Sequence, residues 1–169
     1  IVLMQMVNLM RDGKPVRMSK RTGKAITLTD LLDEVPIDSA RFFFNQRESS
    51  STLDFDLDLA VRNDSENPVY YVQYAHARIC SILRKAADEA DAAAVEAGEM
   101  TMGELAEKII PEDCDLTPLT HPSELALMRK MADFGNLIAL AARDRAPFRL
   151  THYAQDLASL FHQLSLIHI

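Results

Sequence analysis

Cysteine is scarce in this 169-residue chain, long apolar runs are missing and positive charge is in deficit. Cys80 and Cys114 lie far apart without a CxxC or Cys/His spacing, which excludes a disulfide framework and a cysteine metal site and fits a reducing cytoplasm. No apolar stretch approaches the roughly 20 residues a bilayer-spanning helix needs, so no membrane role is expected. The apolar opening Ile1-Val2-Leu3-Met4 lacks a basic leader and a small-residue cleavage site, so it does not read as a signal peptide. It also lacks an initiator Met and starts in what reads as mid-strand, which suggests a piece of a longer protein.

The net charge of −7 excludes a general nucleic-acid coat, because non-specific binding needs an excess of Lys and Arg over the whole surface. Any contact with nucleic acid must be local. Arg11, Lys14, Arg17, Lys20, Arg21 and Lys24 do crowd one short segment whose only acid is Asp12, a pattern that suits an anion site. With 48% hydrophobic residues the chain is globular, long enough for one good core or two small domains.

Along the chain, Val2 to Met10, the turn Asp12-Gly13 and Pro15 to Met18 predict a β-hairpin. A short helix follows from Thr29 or Asp30 to Val35, ended by Pro36. Next comes a largely buried helix, Ser39 to Gln46, with Asp38 as its cap and Phe42, Phe43 and Phe44 as its apolar load. Leu53 to Leu59 alternates with period two, a half-buried extended segment with Leu and Phe inward and Asp outward. Read as an EF-hand from Asp54 it fails twice, at Leu59 and Ser65.

Asn67 and Pro68 open a long helix as N-cap and first helical residue, and Ala86 to Ala97 reads as its solvated extension. Val72, Ala75, Ile79, Ile82, Leu83 and Ala86 form the stripe expected to face the core. About 110° round lies a second stripe, Tyr71, Tyr74, Arg78, Ser81 and Lys85. Rings and cations at this spacing suit stacking of unpaired bases and contact with phosphate, while the plainer reading makes the tyrosines the rim of the core. Met100 to Ile110 is a weaker helix candidate. One helix is expected from Pro122 to Arg143, and a last one opened by Pro147, with Leu150, Tyr153, Ala154, Leu157, Leu160, Phe161 and Leu164 inward. The chain after about residue 60 thus predicts an antiparallel bundle of roughly four helices.

The sharpest chemical signal is Arg17-Met18-Ser19-Lys20-Arg21-Thr22-Gly23-Lys24. Cations, hydroxyls and a glycine in one loop can grip a polyphosphate and stabilise charge on it, although a solvated turn matches equally simple rules. It is no P-loop, since Met18 and Ala25 stand where Gly and Ser or Thr are required. None of the five histidines has a catalytic or metal-ligand spacing; His76, His152, His162 and His168 read as core-edge side chains bonded to backbone carbonyls.

Together these segments resemble bacterial arginyl-tRNA synthetase, a class I enzyme, over nearly the whole chain. Arg17 to Arg21 is similar to its Lys-Met-Ser-Lys-Ser signature, Asp38-Ser39-Ala40-Arg41-Phe42-Phe43 to its Asp-Ala-Ala-Arg-Phe-Phe, and Leu53 to Ala60 to a further typical segment. The run Tyr71-Val72-Gln73-Tyr74-Ala75-His76-Ala77-Arg78 resembles the opening helix of its anticodon-binding domain, and Ala146 to Leu150 with Asp156 to His162 its final helix pair. Arg17 and Arg21 depart from the signature, Ser39 replaces an Ala, and Leu164 to Ile169 stands where the family continues with Phe-Tyr-Asn.

The resemblance implies a mainly α fold, with residues 1–60 the α/β end of a Rossmann-like catalytic domain and 61–169 an all-helical anticodon-binding domain, 164–169 being foreign or truncated. It implies attachment of arginine to its tRNA through an arginyl-adenylate, with ATP as substrate accompanied by magnesium and no metal ligands in this chain. Lys20, aided by Ser19 and Arg21, would act on the ATP phosphates, with Met18 also at the ATP site. Tyr71, Tyr74 and Arg78 would face the anticodon, with Gln73 and His76 peripheral. The His-x-Gly-His motif and the arginine pocket have no counterpart here, so the 169 residues alone are expected to be inactive; a cytoplasmic monomer is expected of the whole enzyme. A free-standing helical RNA-binding or interaction module is the alternative. The cysteine enzyme's helical tail is a third, less similar over Leu53 to Ala60 and Tyr71 to Arg78.

Overall fold

The computed structural model describes residues 3–16 and 26–167, the last two by their backbone only. The signature loop with Met18, Ser19, Lys20 and Arg21 therefore lies outside the described residues.

Asp12 and Gly13 take positive φ values of 52° and 68°, the pair a tight two-residue hairpin turn requires, and glycine meets this without strain. The hairpin is shorter than expected, β1 Val7–Arg11 against β2 Lys14–Pro15. Upstream of it, the Gln5 N–H donates to the carbonyl of Ser49 (2.8 Å) rather than to a partner strand. On the other side of β1 runs β3, Leu53–Asp56, parallel and in register from Val7 opposite Leu53 to Met10 opposite Asp56. Parallel strands need a crossover, and α1 (Leu28–Glu34) and α2 (Ile37–Phe44) lie within it.

Thr27 and Asp30 form a capping box at α1, the Thr27 hydroxyl accepting from the Asp30 N–H (3.1 Å) and the Asp30 carboxylate from the Thr27 N–H (2.7 Å). Pro36, not Asp38, is the cap residue of α2; Asp38 lies inside the first turn, where a carboxylate meets the positive end of the helix dipole. Only one face of α2 is buried, through Ser39, Ala40 and Phe43, while Arg41 and Phe44 remain exposed. Leu9, Leu31, Phe43, Leu53 and Phe55 close the core of this α/β unit, Phe55 lying 5.4 Å from the ring of Phe43 and 5.1 Å from that of Phe44. The alternation of Leu53 to Leu59 holds only to Asp56, whose carboxylate caps α3 (Leu57–Ala60) by accepting from Asp58 and Leu59 N–H at 3.0 Å each. A cap so well satisfied ends the strand.

The helical part opens as the sequence indicates. Buried Asn67 caps α4 (Pro68–Ala86), accepting from the Val69 N–H (3.0 Å) while donating to the Arg62 carbonyl (2.8 Å). The expected extension breaks at Ala87, because Asp88 caps a separate α5 (Glu89–Glu96). That segment is not merely solvated: buried Asp91 accepts from Lys108 (2.6 Å) on α6, Met102–Ile109. A Thr101–Glu104 capping box starts α6, and its Leu105 is fully buried. The helix expected from Pro122 is two, α7 Pro122–Ala132 and α8 Phe134–Asp144, divided at Asp133, whose N–H turns back to the Arg129 and Met131 carbonyls. α8 ends at Arg145 in the left-handed region (φ 50°), after which Pro147 leads into α9, Phe148–Ile167. Six helices thus follow residue 60 among the described residues, against the four expected. α9 is the central post, packed against α4, α7 and α8.

On α4 the expected core stripe is only partly covered. Ala75 is buried, but Ile79 is 39% and Ile82 49% exposed, and the other buried residues are Val69 and Cys80. Because α4 is gripped by α2, α6 and α9 from several sides, its most apolar stripe is not its most covered one. Leu150 on α9 is likewise exposed; Tyr153 is buried as expected, and Thr151 and Ala158, outside the expected stripe, are buried with it.

Candidate nucleic-acid interface

The stripe of Tyr71, Tyr74, Arg78, Ser81 and Lys85 faces the seam between α4 and α9. Tyr71 is half-buried, its ring 4.7 Å from that of His162 on α9. Tyr74 is 47% exposed and stacks on His162 at 5.6 Å and on Tyr70 at 6.3 Å, the latter with rings only 13° from parallel. One helical turn relates Tyr70, Tyr74 and Arg78, so the spacing alone aligns them.

Two cavities open on this cluster. A groove of about 780 Å³ has Tyr74, Arg78, Ser81 and Lys85 on the α4 wall and Phe161 and Leu164 on the α9 wall. A chamber of about 330 Å³ is bounded by Tyr70, Tyr71, Tyr74 and His162 and by the loop Asn63-Asp64-Ser65. Arg78 and Lys85 enter no salt bridge among the described residues, so their charge is available to a ligand. Asp64 is committed: it accepts from the Glu66 N–H (3.0 Å) and from Arg62 (2.9 Å), and these contacts, the backbone one first, hold its carboxyl below its usual 3.8. Flat faces and free cations can hold unpaired bases and their phosphates.

Gln73 and His76 do not join this cluster. Gln73 borders a separate cleft of about 530 Å³ with Asp38, Arg41 and Asn45 of the α2 region and Thr151 of α9. His76 is exposed, and instead of a backbone carbonyl its Nε2 meets the Cys80 Sγ at 3.6 Å. His162 does not bond a carbonyl either: its Nε2 is buried and has no hydrogen-bond partner among the described residues. His152 is exposed, edge-on to Phe148 at 5.7 Å, and His168 lies outside the described residues. Sequence reasoning missed Tyr70, Phe161 and His162 as members of the cluster. Tyr70 is legible as the residue one turn before Tyr74; the two on α9 carry no local signal, since only the tertiary pairing of α4 with α9 brings them in.

The family model of the DALR anticodon binding domain matches residues 72–164, more than half of the chain. The chain belongs to the DALR anticodon-binding domain family. The matched DALR segment contains most of both groove walls, from Tyr74 on α4 to Leu164 on α9. Beyond the DALR domain, the chain is 54% identical over 96% of its length to an arginine–tRNA ligase of Heliobacterium modesticaldum and 51% identical to one of Caldanaerobacter subterraneus. It spans about a quarter of these relatives, 27% and 26% of their lengths. A solved Campylobacter jejuni structure, assigned as an arginyl t-RNA synthetase, superposes with a TM-score of 0.75 at 29% identity, over 96% of this chain and 31% of that one. The arginyl-tRNA synthetase of Thermus thermophilus shares the fold, with a TM-score of 0.62 at 22% identity over 91% of this chain and 25% of that one. The mainly helical fold and the likeness to arginyl-tRNA synthetases read from the sequence both stand.

Proposed function

We propose that this chain is part of an arginine–tRNA ligase, in which residues 1–60 end the catalytic domain and 61–169 read the tRNA. The observation that carries this is the groove between α4 and α9, where Tyr71, Tyr74 and Arg78 lie around one aromatic seam inside or beside the matched DALR segment. Splayed loop nucleotides need stacking faces with a cation at hand rather than a basic exterior, which reconciles RNA binding with the net charge of −7. The similarity to arginine–tRNA ligases along 96% of the chain favours the ligase over a free-standing module.

In the whole enzyme ATP would activate arginine as the adenylate, magnesium accompanying its phosphates, and the work would be done in the cytoplasm. Lys20, with Ser19, Arg21 and Met18 beside it in sequence, would stabilise the charge that develops on the triphosphate. Gln73 and His76, on other faces of α4, are left with peripheral roles.

Tyr74→Ala should weaken binding of the anticodon stem-loop of the arginine tRNA by about 1–3 kcal/mol, the worth of one lost base stack, as read by fluorescence anisotropy. Unchanged affinity with lowered stability would make Tyr74 a core-rim residue instead. In the full-length ligase, Lys20→Ala should slow arginine-dependent pyrophosphate exchange by about 10²–10³, the usual cost of removing one transition-state donor. Unchanged exchange would remove Lys20 from the mechanism.

A further inference from the structure

We infer that the cleft where α2, α4 and α9 meet is a closing joint between the two parts of the chain, with Thr151 and Gln73 as the positioning residues that set its angle. This rests on the tRNA-binding reading above and goes beyond it by naming what would hold the tRNA-reading helices in line with the catalytic end.

The cleft, of about 530 Å³, opens between the α2 region, the first turns of α4 and the start of α9. α4 is anchored beside it, where Asn67 and Val69 are buried and Val69 joins the core of the α/β unit. α9 meets that unit through a shared proton. The hydroxyl of buried Thr151 has one hydrogen and two acceptors in reach, the Phe148 carbonyl of its own helix at 2.8 Å and the carbonyl of Asn45, the C-cap residue of α2, at 3.3 Å. The first is an ordinary O–H···O length and the second a long one. An approach of α9 to α2 by about 0.5 Å would make the two acceptors equal and let the proton pass to Asn45, latching the helices together. An open cleft cannot fix an angle by packing, so polar contacts across it must.

A second contact is poised on the same cleft. Asp38 and Arg41, one helical turn apart on α2, are exposed and enter no ion pair among the described residues. Gln73 stands on the α4 wall, exposed and without a hydrogen bond among the described residues. Its amide can accept from the Arg41 guanidinium and donate to the Asp38 carboxylate at once, which neither a carboxylate nor an ammonium could do. Closure would therefore satisfy three polar side chains that the open cleft leaves to water.

The angle matters because α9 is a lever. From Thr151 to Phe161 it runs for about 15 Å at the helical rise, with the joint at one end and the groove wall at the other. A tilt of about 4° over that length displaces the groove by about 1 Å, a misplacement that can cost a reaction about 10²-fold.

The test uses the full-length ligase. Thr151→Val, which keeps the shape and removes the hydroxyl, should lower kcat for charging the arginine tRNA about tenfold, with KM for ATP and arginine and the anisotropy-measured affinity for the anticodon stem-loop unchanged. Thr151→Ser should restore kcat, and Gln73→Leu should lower it as Thr151→Val does. A wild-type kcat in Thr151→Val or Gln73→Leu, a loss that serine does not restore, or a fall in stem-loop affinity that matches the fall in kcat overturns the joint and leaves the tRNA reading standing. An intact ligase that does not bind the stem-loop overturns both. Should circular dichroism show the valine variant unfolded, Thr151→Ala carries the same test; a second unfolded variant assigns the hydroxyl to stability and overturns its positioning role.

Discussion

In the α/β unit the core is carried by large side chains, Leu9, Leu31, Phe43, Leu53, Phe55 and Leu57, with Ala40 and Ala60 as its small members and Val69 of α4 joining it. In the helical bundle the buried side chains are mostly small, Ala75, Cys80, Ala141, Ala146 and Ala158, with Leu105 and Tyr153 as the bulky exceptions. Large apolar residues there sit at the rim: Ile82, Met131, Phe134 and Ile138 are each more than 40% exposed. Small residues at the contacts let α9 approach its neighbours, and large ones beside them leave grooves between the helices. The first unit is filled, and the second is shaped. A binding surface belongs in the second, because a groove walled by half-exposed rings can accept a ligand without a core being opened.

The largest expected effect sets the two modes directly against each other. Phe55→Ala, at a fully buried ring in contact with Phe43 and Phe44, should cost about 3–5 kcal/mol, whereas Leu105→Ala, equally buried in the bundle, should cost nearer the low end of about 2–5 kcal/mol. Urea denaturation of both variants checks this, and a larger loss at Leu105 would break the contrast. Asn67→Ala comes next. It removes the α4 cap and the bond to the Arg62 carbonyl, for about 1–2 kcal/mol, read as a lowered urea midpoint. The smallest effect is one of slope. Glu104, hydrogen-bonded by the Thr101 N–H and hydroxyl, has its carboxyl held below the ordinary 4.5, as Asp30 has at Thr27 below 3.8. A lowered folded-state pKa adds stability that is complete above the ordinary value and lost as pH falls through the lowered one. Glu104→Gln should therefore flatten the acid decline of stability below about pH 4.5 without changing its neutral-pH shape, seen as urea midpoints across pH; an unchanged slope would separate the box from the pH response.

Local chemistry was legible where a short segment decides its own conformation. Asp12-Gly13, Asn67-Pro68 and Pro122 did what their turn and cap preferences require. The misses came where a cap outcompeted a periodic pattern, as at Asp56 and Asp88, or where packing chose the covered face. On α4 the period located both stripes but not which would be buried, because that depends on where α9, which begins about 80 residues after α4 does, is laid down. The tyrosine stripe could be read from α4 alone; Phe161 and His162 became partners only through the pairing of the two helices. The chemistry of the basic loop rests on the sequence and the resemblance, since Lys20 lies outside the described residues.

The parallel pairing of β1 with β3 also sets an order of events in folding. Asn8 and Asp54, joined at 2.8 Å, are 46 residues apart, whereas α1 and α2 close their own turns within a few residues. Closing so long a loop before any contact rewards it is an entropic barrier, so the sheet register is fixed late and the helices of the crossover form early. Until Phe55 is seated, the large side chains of this unit are left open to water.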